Sequence, residues 1–379
     1  MIFDTDHVLF KTLKEKNYTE DFKEFVINSE VDIMHKKGNF TTEEKKVTGV
    51  LMPIKFQLKS LFERKHLLEN TLQHMTDLQS HTKLTNFVQG NLWKEKISKY
   101  PNKIVLPYFI YTDDFEINDP LGSHSGKHSI CNIYYSFPCL PVDESKQDNI
   151  FYCASIKSKD VREFGNEKCL QTLIQTLKEL EIDGIDIQVN ENVTKRVYFI
   201  LGLVLGDNLG LNSFLDFTKS FSANFYCRLC RVSKTVSQKM TTEDQEMMRT
   251  IINYNADLAN LEDNCRGIIK NSPLNEIPSF HVVKNFYVDI MHDIFEGVCH
   301  YSICHVILYC IEMNFFSLEI LNSRKQNFEY GSKEISNISA SIKPNCLNNK
   351  KLKMTARQMM TFISFFPLMK LLIFYYVLK

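Results

Sequence analysis

The pattern of hydrophobic and polar positions changes sharply near residue 56. From Phe56 to about Val88, apolar residues recur every three or four positions without Gly or Pro, which predicts one or two amphipathic helices in a helical segment spanning residues 56–100. Residues 1–55 carry short charged runs and isolated apolar residues without a clear period. We expect this N-terminal region to be loosely packed and partly disordered.

Apolar, β-branched and aromatic runs dominate residues 101–218. The runs predict strands at 103–112, 130–137, 150–156 and 195–205, and a helix at 161–181 before the last strand. The order strand-strand-strand-helix-strand is that of an α/β, RNase H-like core with a mixed sheet. In such a core the first strand and the strand after the helix lie side by side.

An aspartate follows each of those two strands: Asp113 the first and Asp207 the last, 94 positions apart. If the strands are neighbours, the two carboxylates lie close together and can bind Mg²⁺ or Mn²⁺, two ions sitting about 3.5–4 Å apart in phosphodiester-cleaving sites. A third carboxylate from a later helix normally completes such a site. The alternative is that both are ordinary turn-forming aspartates. Asp114 should point to the other side of the sheet.

A mostly helical insertion is predicted for residues 219–353, and it opens with Cys227-Arg-Leu-Cys230. Two cysteines at this spacing form half of a tetrahedral Zn²⁺ site, and the alternative is a pair of buried free thiols. Candidates for the remaining ligands are Cys265, His281, His292, His300 and His305.

Asp289 and His292 stand three positions apart where a further helix begins. This spacing places them on one helix face, where His292 could bind a metal or form a hydrogen bond with Asp289. Another helix starts near Met354, and residues 354–379 are expected to be the last helix of the core. The apolar stretch from Phe362 to Leu378 is interrupted by Pro367 and Lys370, which favours a core helix over a membrane span.

Charge and cysteine content narrow the classes of function. The 379 residues contain 45 Lys plus Arg and 45 Asp plus Glu, so nucleic-acid binding would need a local basic surface. Basic residues that could line a DNA groove, although each alone is an ordinary solvated charge, are Lys157, Lys159, Arg162, Lys195, Arg196, Arg228 and Arg231. The 11 Cys are scattered, and no secretory leader pattern opens the chain, which indicates a reducing compartment, the nucleus or the cytoplasm. Gly202, Gly206 and Gly210 do not form a phosphate-binding loop, which disfavours nucleotide binding.

Several strings, taken in order, resemble the CACTA-type (En/Spm-like) DDE transposases and related transposon-derived proteins. The resemblance covers about Asn86 to Phe366. The strings are Phe87–Trp93, Tyr111–Gly122, Leu203–Gly210, Phe221–Cys230 and Pro278–Val283, the last leading into Asp289–His292. Their order makes chance agreement improbable.

The resemblance implies DNA strand cleavage and transfer with Mg²⁺ or Mn²⁺. It equates Asp113 and Asp207 with the first two catalytic carboxylates. Cys227 and Cys230, and then Asp289 and His292, match two motifs of the insertion and are the candidate zinc or metal ligands. The expected partner is DNA, and because such enzymes act as multimers, a homo-oligomer is expected.

The resemblance also predicts a defect. The family's catalytic Glu lies on a helix beyond the segment resembling Met354 to Phe366, and the sequence after Phe366 has no acidic residue. A site with two of three carboxylates would hold metal poorly, so impaired catalysis is expected. The alternative function is that of a non-catalytic nuclear DNA-binding or scaffold protein derived from a transposon.

Overall fold

A computed structural model describes residues 6–16, 18–36, 39–117, 129–144, 147–260, 266–332 and 334–377. Packing divides the chain into two units, Met1–Tyr287 and Val288–Lys379. The predicted boundaries after residues 218 and 353 do not coincide with this division.

A mixed seven-stranded β-sheet forms the centre of the first unit, within its described residues. In chain order the strands are β1 (Lys23–Lys36), β2 (Asn39–Leu51), β3 (Ile104–Glu116), β4 (Ser129–Ser136), β5 (Phe151–Lys157), β6 (Ile185–Asn190) and β7 (Val193–Leu205). Across the sheet their order is β1-β2-β5-β4-β3-β7-β6. The pair β3 and β7 runs parallel, and the other pairs run antiparallel. The prediction of a mixed α/β fold is thereby confirmed.

The first unit contains helices α1 to α8. They are α1 (Asp6–Glu15), α2 (Ile54–Phe62), α3 (Leu67–Ser80), α4 (Asn91–Ile97), α5 (Ser158–Ile182), α6 (Asn208–Phe214), α7 (Lys234–Ser237) and α8 (Ile251–Ala259). Helices α2 and α3 correspond to the amphipathic stretch after Phe56. Their apolar faces are buried, as the helical period requires.

The predicted strands and helix between residues 101 and 218 all form, and β6 is added between α5 and β7. Strand β3 is buried through most of its length because it lies inside the sheet, with Leu106 and Ile110 fully enclosed. Helix α5 packs on one face of the sheet through a stripe that includes Leu170, Leu173 and Leu177. Gly165 breaks α5 with a φ of 77°, a conformation that favours glycine.

The N-terminal region is more ordered than the sequence suggested. Strands β1 and β2 form a hairpin, and β2 joins the sheet where Val50 and Leu51 pair with β5. The hairpin is anchored because Phe25 and Ile27 are buried, while Val26 between them is exposed. The charged residues Glu44, Lys45 and Lys46 lie on β2 near the edge of the sheet and are exposed to water, whereas Lys11 and Lys14 lie on α1.

Residues 208–287, part of which we assigned to a separate insertion, share the core of the first unit. Phe217, Tyr254, Ile268 and Leu274 are buried in the same cluster as the sheet residues. Much of this segment has no regular secondary structure. After residue 218 it contains α7 and α8, and two short 3₁₀ helices at Gln245–Met247 and Pro273–Glu276. The predicted helical character of 219–353 therefore applies mainly to its second half.

The second unit is helical in its described residues. Its helices are α9 (Ile290–Val298, of π type), α10 (Cys299–Glu312), α11 (Leu318–Asn327), α12 (Pro344–Asn348) and α13 (Ala356–Val377). Cys304, Ile307, Met359 and Phe362 belong to its own buried cluster, so the helix predicted from Met354 packs within this unit.

One helical stretch among the described residues, Ile290–Glu312, is long and apolar enough to span a membrane. Length and composition alone do not separate such a helix from a core helix of a soluble protein. The apolar stretch from Phe362 to Leu378 lies, beyond residue 369, outside the residues whose side chains the structure describes.

Candidate functional site

Parallel pairing of β3 with β7 brings Asp113 and Asp207 to one end of the sheet. Tyr111 of β3 is paired with Leu205 of β7 in this register. Each of these residues stands two positions before an aspartate, so Asp113 and Asp207 follow their strands at the same end of the sheet. Gly206 allows the end of β7 to approach β3 closely, since a Cβ at this position would lie 3.1 Å from the Thr112 carbonyl oxygen. The predicted proximity of the two carboxylates is confirmed.

A cavity of about 400 Å³ opens at this end of the sheet, and both aspartates line it. Asp114 lines it as well. The other polar residues that line it are Thr112 of β3, Cys131 of β4, Ser158, Arg162 and Asn166 of α5, and then Ser213 and Lys219. The site thus combines three carboxylates with two cations and neutral hydrogen-bonding groups.

Electrostatics within the cavity favour a bound cation. Burial, and secondly the neighbouring Asp207 carboxylate, raise the pKa of Asp113 above its ordinary value. The Tyr111 hydroxyl donates to Oδ2 of Asp113 over 3.4 Å and counteracts part of this rise. A divalent ion would relieve the repulsion between the carboxylates, and their oxygens are the ligands that Mg²⁺ and Mn²⁺ prefer.

Asp207 has a structural role in addition. It is the N-cap of α6, where its Oδ1 accepts a hydrogen bond from the backbone N–H of Gly210. The interpretation as a turn-forming aspartate therefore holds for Asp207. The cap uses only one carboxylate oxygen, Oδ1, and the residue also lines the cavity.

Asp113 and Asp114 point to opposite faces of the sheet, as strand alternation predicts. Asp114 accepts a hydrogen bond from Ser158 Oγ over 3.1 Å, on the face covered by α5. Asp113 contacts Tyr111, which lies two residues earlier in β3, and both side chains are on the face opposite α5. Because both line the cavity, the cavity wraps around the end of β3.

Three α5 residues at the cavity follow a spacing of four: Ser158, Arg162 and Asn166. Arg162 was among the basic residues noted as candidates for a DNA groove, whereas Ser158, Asn166 and Lys219 were missed. No helical spacing in the sequence groups the three residues, because Ser158 precedes the helix predicted at 161–181 and Gly165 breaks α5 between Arg162 and Asn166.

Three of the other basic residues considered for a DNA groove have protein partners. Arg196 contacts Asp186 at 2.7 Å, and Arg231 contacts Asp257 at 2.7 Å. Arg228 donates to Asn208 Oδ1 over 2.8 Å. The basic groups that line the cavity are Arg162 and Lys219.

Cys227 and Cys230 lie together in the first unit, and both are half-buried. The Cys230 thiol donates a hydrogen bond to the Cys227 sulfur, which lowers the pKa of Cys227 to about 6 and raises the pKa of Cys230. The backbone N–H of Leu229 also donates to the Cys227 sulfur over 3.3 Å. A thiolate at neutral pH suits Zn²⁺, and the prediction of zinc stays open.

Arg249 is buried beside this pair. Its Nη2 donates to the Cys227 carbonyl over 3.1 Å, and its Nη1 lies 3.6 Å from Asp257. Its side chain is 1% exposed, and its Nε and Nη1 have no hydrogen-bond partner in the described part of the chain. Cys265, one of the proposed remaining zinc ligands, lies outside the described residues.

Asp289 and His292 meet in the second unit through a local contact. Nδ1 of His292 lies 2.5 Å from Oδ2 of Asp289, and Oδ1 of Asp289 accepts the backbone N–H groups of Met291 and His292. Asp289 is thus the N-cap of α9. The predicted hydrogen bond between the two side chains forms, and it orients the imidazole as carboxylates orient metal-binding histidines.

Across the described residues, no three His, Cys, Asp or Glu side chains are grouped closely enough to hold a metal ion. A comparison with known protein families finds no family model that matches the chain, and no curated protein matches it.

Proposed function

We propose that this chain is a transposase-derived protein with an RNase H-like core, and that its cavity binds Mg²⁺ or Mn²⁺ between Asp113 and Asp207. Its ancestral activity is the cleavage and transfer of DNA strands, and this activity is weakened because no third metal-binding side chain joins the two aspartates within the described residues. The observation that carries the proposal is the parallel pairing of β3 with β7, which joins carboxylates 94 residues apart at one cavity.

The strand arrangement supports the RNase H-like assignment. Strands β5, β4, β3 and β7 are consecutive in the sheet, with β3 to β5 antiparallel, α5 following β5, and β7 parallel to β3. This is the order expected of such a core. β6 is an addition, pairing with the outer side of β7.

The cavity groups divide the expected chemistry between them. Bound metal would supply Lewis acidity and an activated water. Asp113 and Asp207 would hold the metal, while Arg162 and Lys219 are placed to bind phosphate oxygens. Ser158 fixes Asp114 through its hydrogen bond, so the acidic residue next to Asp113 is held against α5.

A plasmid-nicking assay tests the proposed activity. The full chain with Mn²⁺ should convert supercoiled plasmid to open circles, and Asp113→Ala and Asp207→Ala should each reduce nicking to the protein-free background. Asp143→Ala, which removes an exposed carboxylate outside the cavity, is the matched control. Nicking that persists in both cavity variants would refute the assignment.

A second function, DNA binding without cleavage, is favoured by one observation: within the described residues no third metal ligand joins the aspartates. In this case the protein is a nuclear DNA-binding or scaffold protein. It would shift the mobility of DNA fragments without nicking them, and Asp113→Ala would leave that binding intact.

A further inference from the structure

Side chains on one face of the sheet, next to Asp113, form three cross-strand rows. Residues directly opposite each other on neighbouring strands share a face. From the registers of β3, β4 and β5, the rows are Tyr111–Tyr134–Tyr152, then Asp113–Asn132–Ser155, then Phe115–Ile130–Lys157. This face is the one opposite α5, since Ile133 and Tyr135 alternate with these residues and are buried on the α5 side.

In the first row, here called the tyrosine platform, the ring of Tyr134 lies against the rings of both Tyr111 and Tyr152. The ring centroids of Tyr111 and Tyr134 are 6.3 Å apart, and those of Tyr134 and Tyr152 are 4.8 Å apart. Tyr111 is 41% exposed, and Phe115 of the third row is 45% exposed. Aromatic rings therefore flank Asp113 on both sides along β3.

Hydrogen bonds hold Tyr134 and Tyr152 of the tyrosine platform in place. Ser155 Oγ donates to Asn132 Oδ1 over 2.6 Å, and the Tyr152 hydroxyl donates to the same oxygen. Asn132 Nδ2 donates to the Tyr134 hydroxyl over 3.3 Å. Asn132 is 1% exposed, so the network is fixed from inside the sheet, and rings held in this way lose little freedom on binding a ligand.

We propose that the tyrosine platform stacks the bases of single-stranded DNA and so presents the adjoining phosphate to Asp113 and Asp207. The inference rests on the proposed function for the identity of the neighbouring cavity. Base–aromatic stacking next to a phosphate-binding groove is the general way in which proteins hold single strands.

Charge and continuity identify the occupant. The Tyr111 hydroxyl donates to Asp113, so a strand on the tyrosine platform continues directly into the cavity. The third row ends in the exposed Lys157, and Arg162 and Lys219 line the cavity beyond. The aromatic rings can stack on the bases of a nucleic acid, the amide and hydroxyl groups can form hydrogen bonds with them, and the cations can bind its phosphates. A duplex hides its base faces and would not use the rings.

Fluorescence anisotropy tests this inference with the full chain in EDTA, using a labelled 12-nucleotide thymidine single strand. Tyr111→Ala and Tyr134→Ala should each weaken binding about 5- to 150-fold, since stacking is worth roughly 1–3 kcal/mol per base. Tyr111→Phe keeps the ring and should restore most of the affinity. Tyr18→Ala, which removes a tyrosine that is 68% exposed outside the tyrosine platform, should bind normally.

Unchanged single-strand affinity in both alanine variants, with their melting temperatures intact, would overturn the inference. So would an equal loss of affinity for a duplex of the same length. Because binding in EDTA needs no metal, the two proposals fail separately. Tyrosine-dependent binding without Mn²⁺-dependent nicking refutes the proposed activity alone, and nicking without tyrosine-dependent binding refutes the stacking alone.

Discussion

Two pairs of candidate metal ligands in this protein arise in opposite ways. Asp113 and Asp207 stand on separate strands and meet because β3 and β7 pair in parallel. Asp289 and His292 meet within one turn at the start of α9, through a contact of 2.5 Å. The first pair depends on the whole sheet, whereas the second depends on a few residues of local structure.

The two pairs also differ in whether a bound cation would stabilise them. Asp289 and His292 form a hydrogen bond with each other, and Asp289 also caps its helix, so this pair has partners within the protein. Asp113 and Asp207 are like charges, and their proximity contributes to the raised pKa of Asp113. Self-sufficient pairs stabilise a fold, whereas like-charged pairs beside a cavity are typical of functional sites. This contrast is the reason to look for metal first at the sheet edge.

The largest effect is expected from breaking the sheet beneath the aspartates. Ile110 is fully buried in β3, opposite Val204 on β7 and Tyr135 on β4. Ile110→Ala should lower the free energy of unfolding of the first unit by about 2–5 kcal/mol, because it leaves a cavity in the core. Trp93, the single tryptophan, is 1% exposed in this unit, so its fluorescence during urea unfolding measures the loss.

Val142→Ala is the control for this prediction, since Val142 is 79% exposed and its truncation should change stability by less than about 0.5 kcal/mol. Equal effects of the two changes would mean that β3 is not the buried centre of the sheet. The dependence of the aspartate pair on the sheet would then be wrong.

A smaller effect, of opposite sign, is expected at Asp216. Burial raises the pKa of Asp216 to about 6, and its Oδ2 has no hydrogen-bond partner among the described residues. Its φ is 60°, which Asn also tolerates. Because the folded-state pKa lies above the unfolded one, the wild-type protein should lose stability as pH rises from about 4 to 6.

Asp216→Asn should remove this pH dependence and raise the unfolding free energy at pH 7 by about 1–3 kcal/mol. Urea unfolding at pH 5 and pH 7, followed by Trp93 fluorescence, gives both values. The exposed Asp143→Asn should change neither. If Asp216→Asn proves destabilising at pH 7, the Asp216 carboxylate has a partner that the described residues do not include.

The smallest effect is expected from the local pair. Asp289→Ala removes the N-cap of α9 and the contact with His292, which should cost about 0.5–2 kcal/mol. Amide hydrogen exchange in Ile290–Val298 should accelerate accordingly, while the exposed Glu312→Ala leaves it unchanged. Unaltered exchange in Asp289→Ala would show that the pair contributes little to the local fold.

Much of the fold was predictable from sequence because buried strands and amphipathic helices leave clear patterns. Strands β3, β4, β5 and β7 and helix α5 lie close to their predicted positions. The β1–β2 hairpin was missed because charged side chains on strands near the sheet edge mask its alternation. Strand β6 was missed although Ile185 and Ile187 alternate with polar residues, because six residues give a weak signal.

The site was predictable only where chain order determines proximity. Strand order brought Asp113 to Asp207, whereas the cavity residues Ser158, Asn166 and Lys219 come from segments whose packing the sequence does not specify. The rows of the tyrosine platform depend on strand register, including an irregularity between Ile133 and Tyr134. Strand register is set by turns and by packing, and neither can be derived from one sequence. The alignment of Tyr111, Tyr134 and Tyr152 was therefore not predictable.

The most direct measurement is the affinity for Mn²⁺, obtained from the electron paramagnetic resonance signal of the free ion. It compares four proteins: the wild-type chain, Asp113→Asn, Asp207→Asn and the double variant. The account predicts that each single change weakens binding at least ~10-fold, since even a residue that only orients a ligand is worth about 10–100-fold. It also predicts that the double variant binds hardly less than either single one, because both aspartates hold the same metal. Equal Mn²⁺ affinity in all four proteins would contradict it.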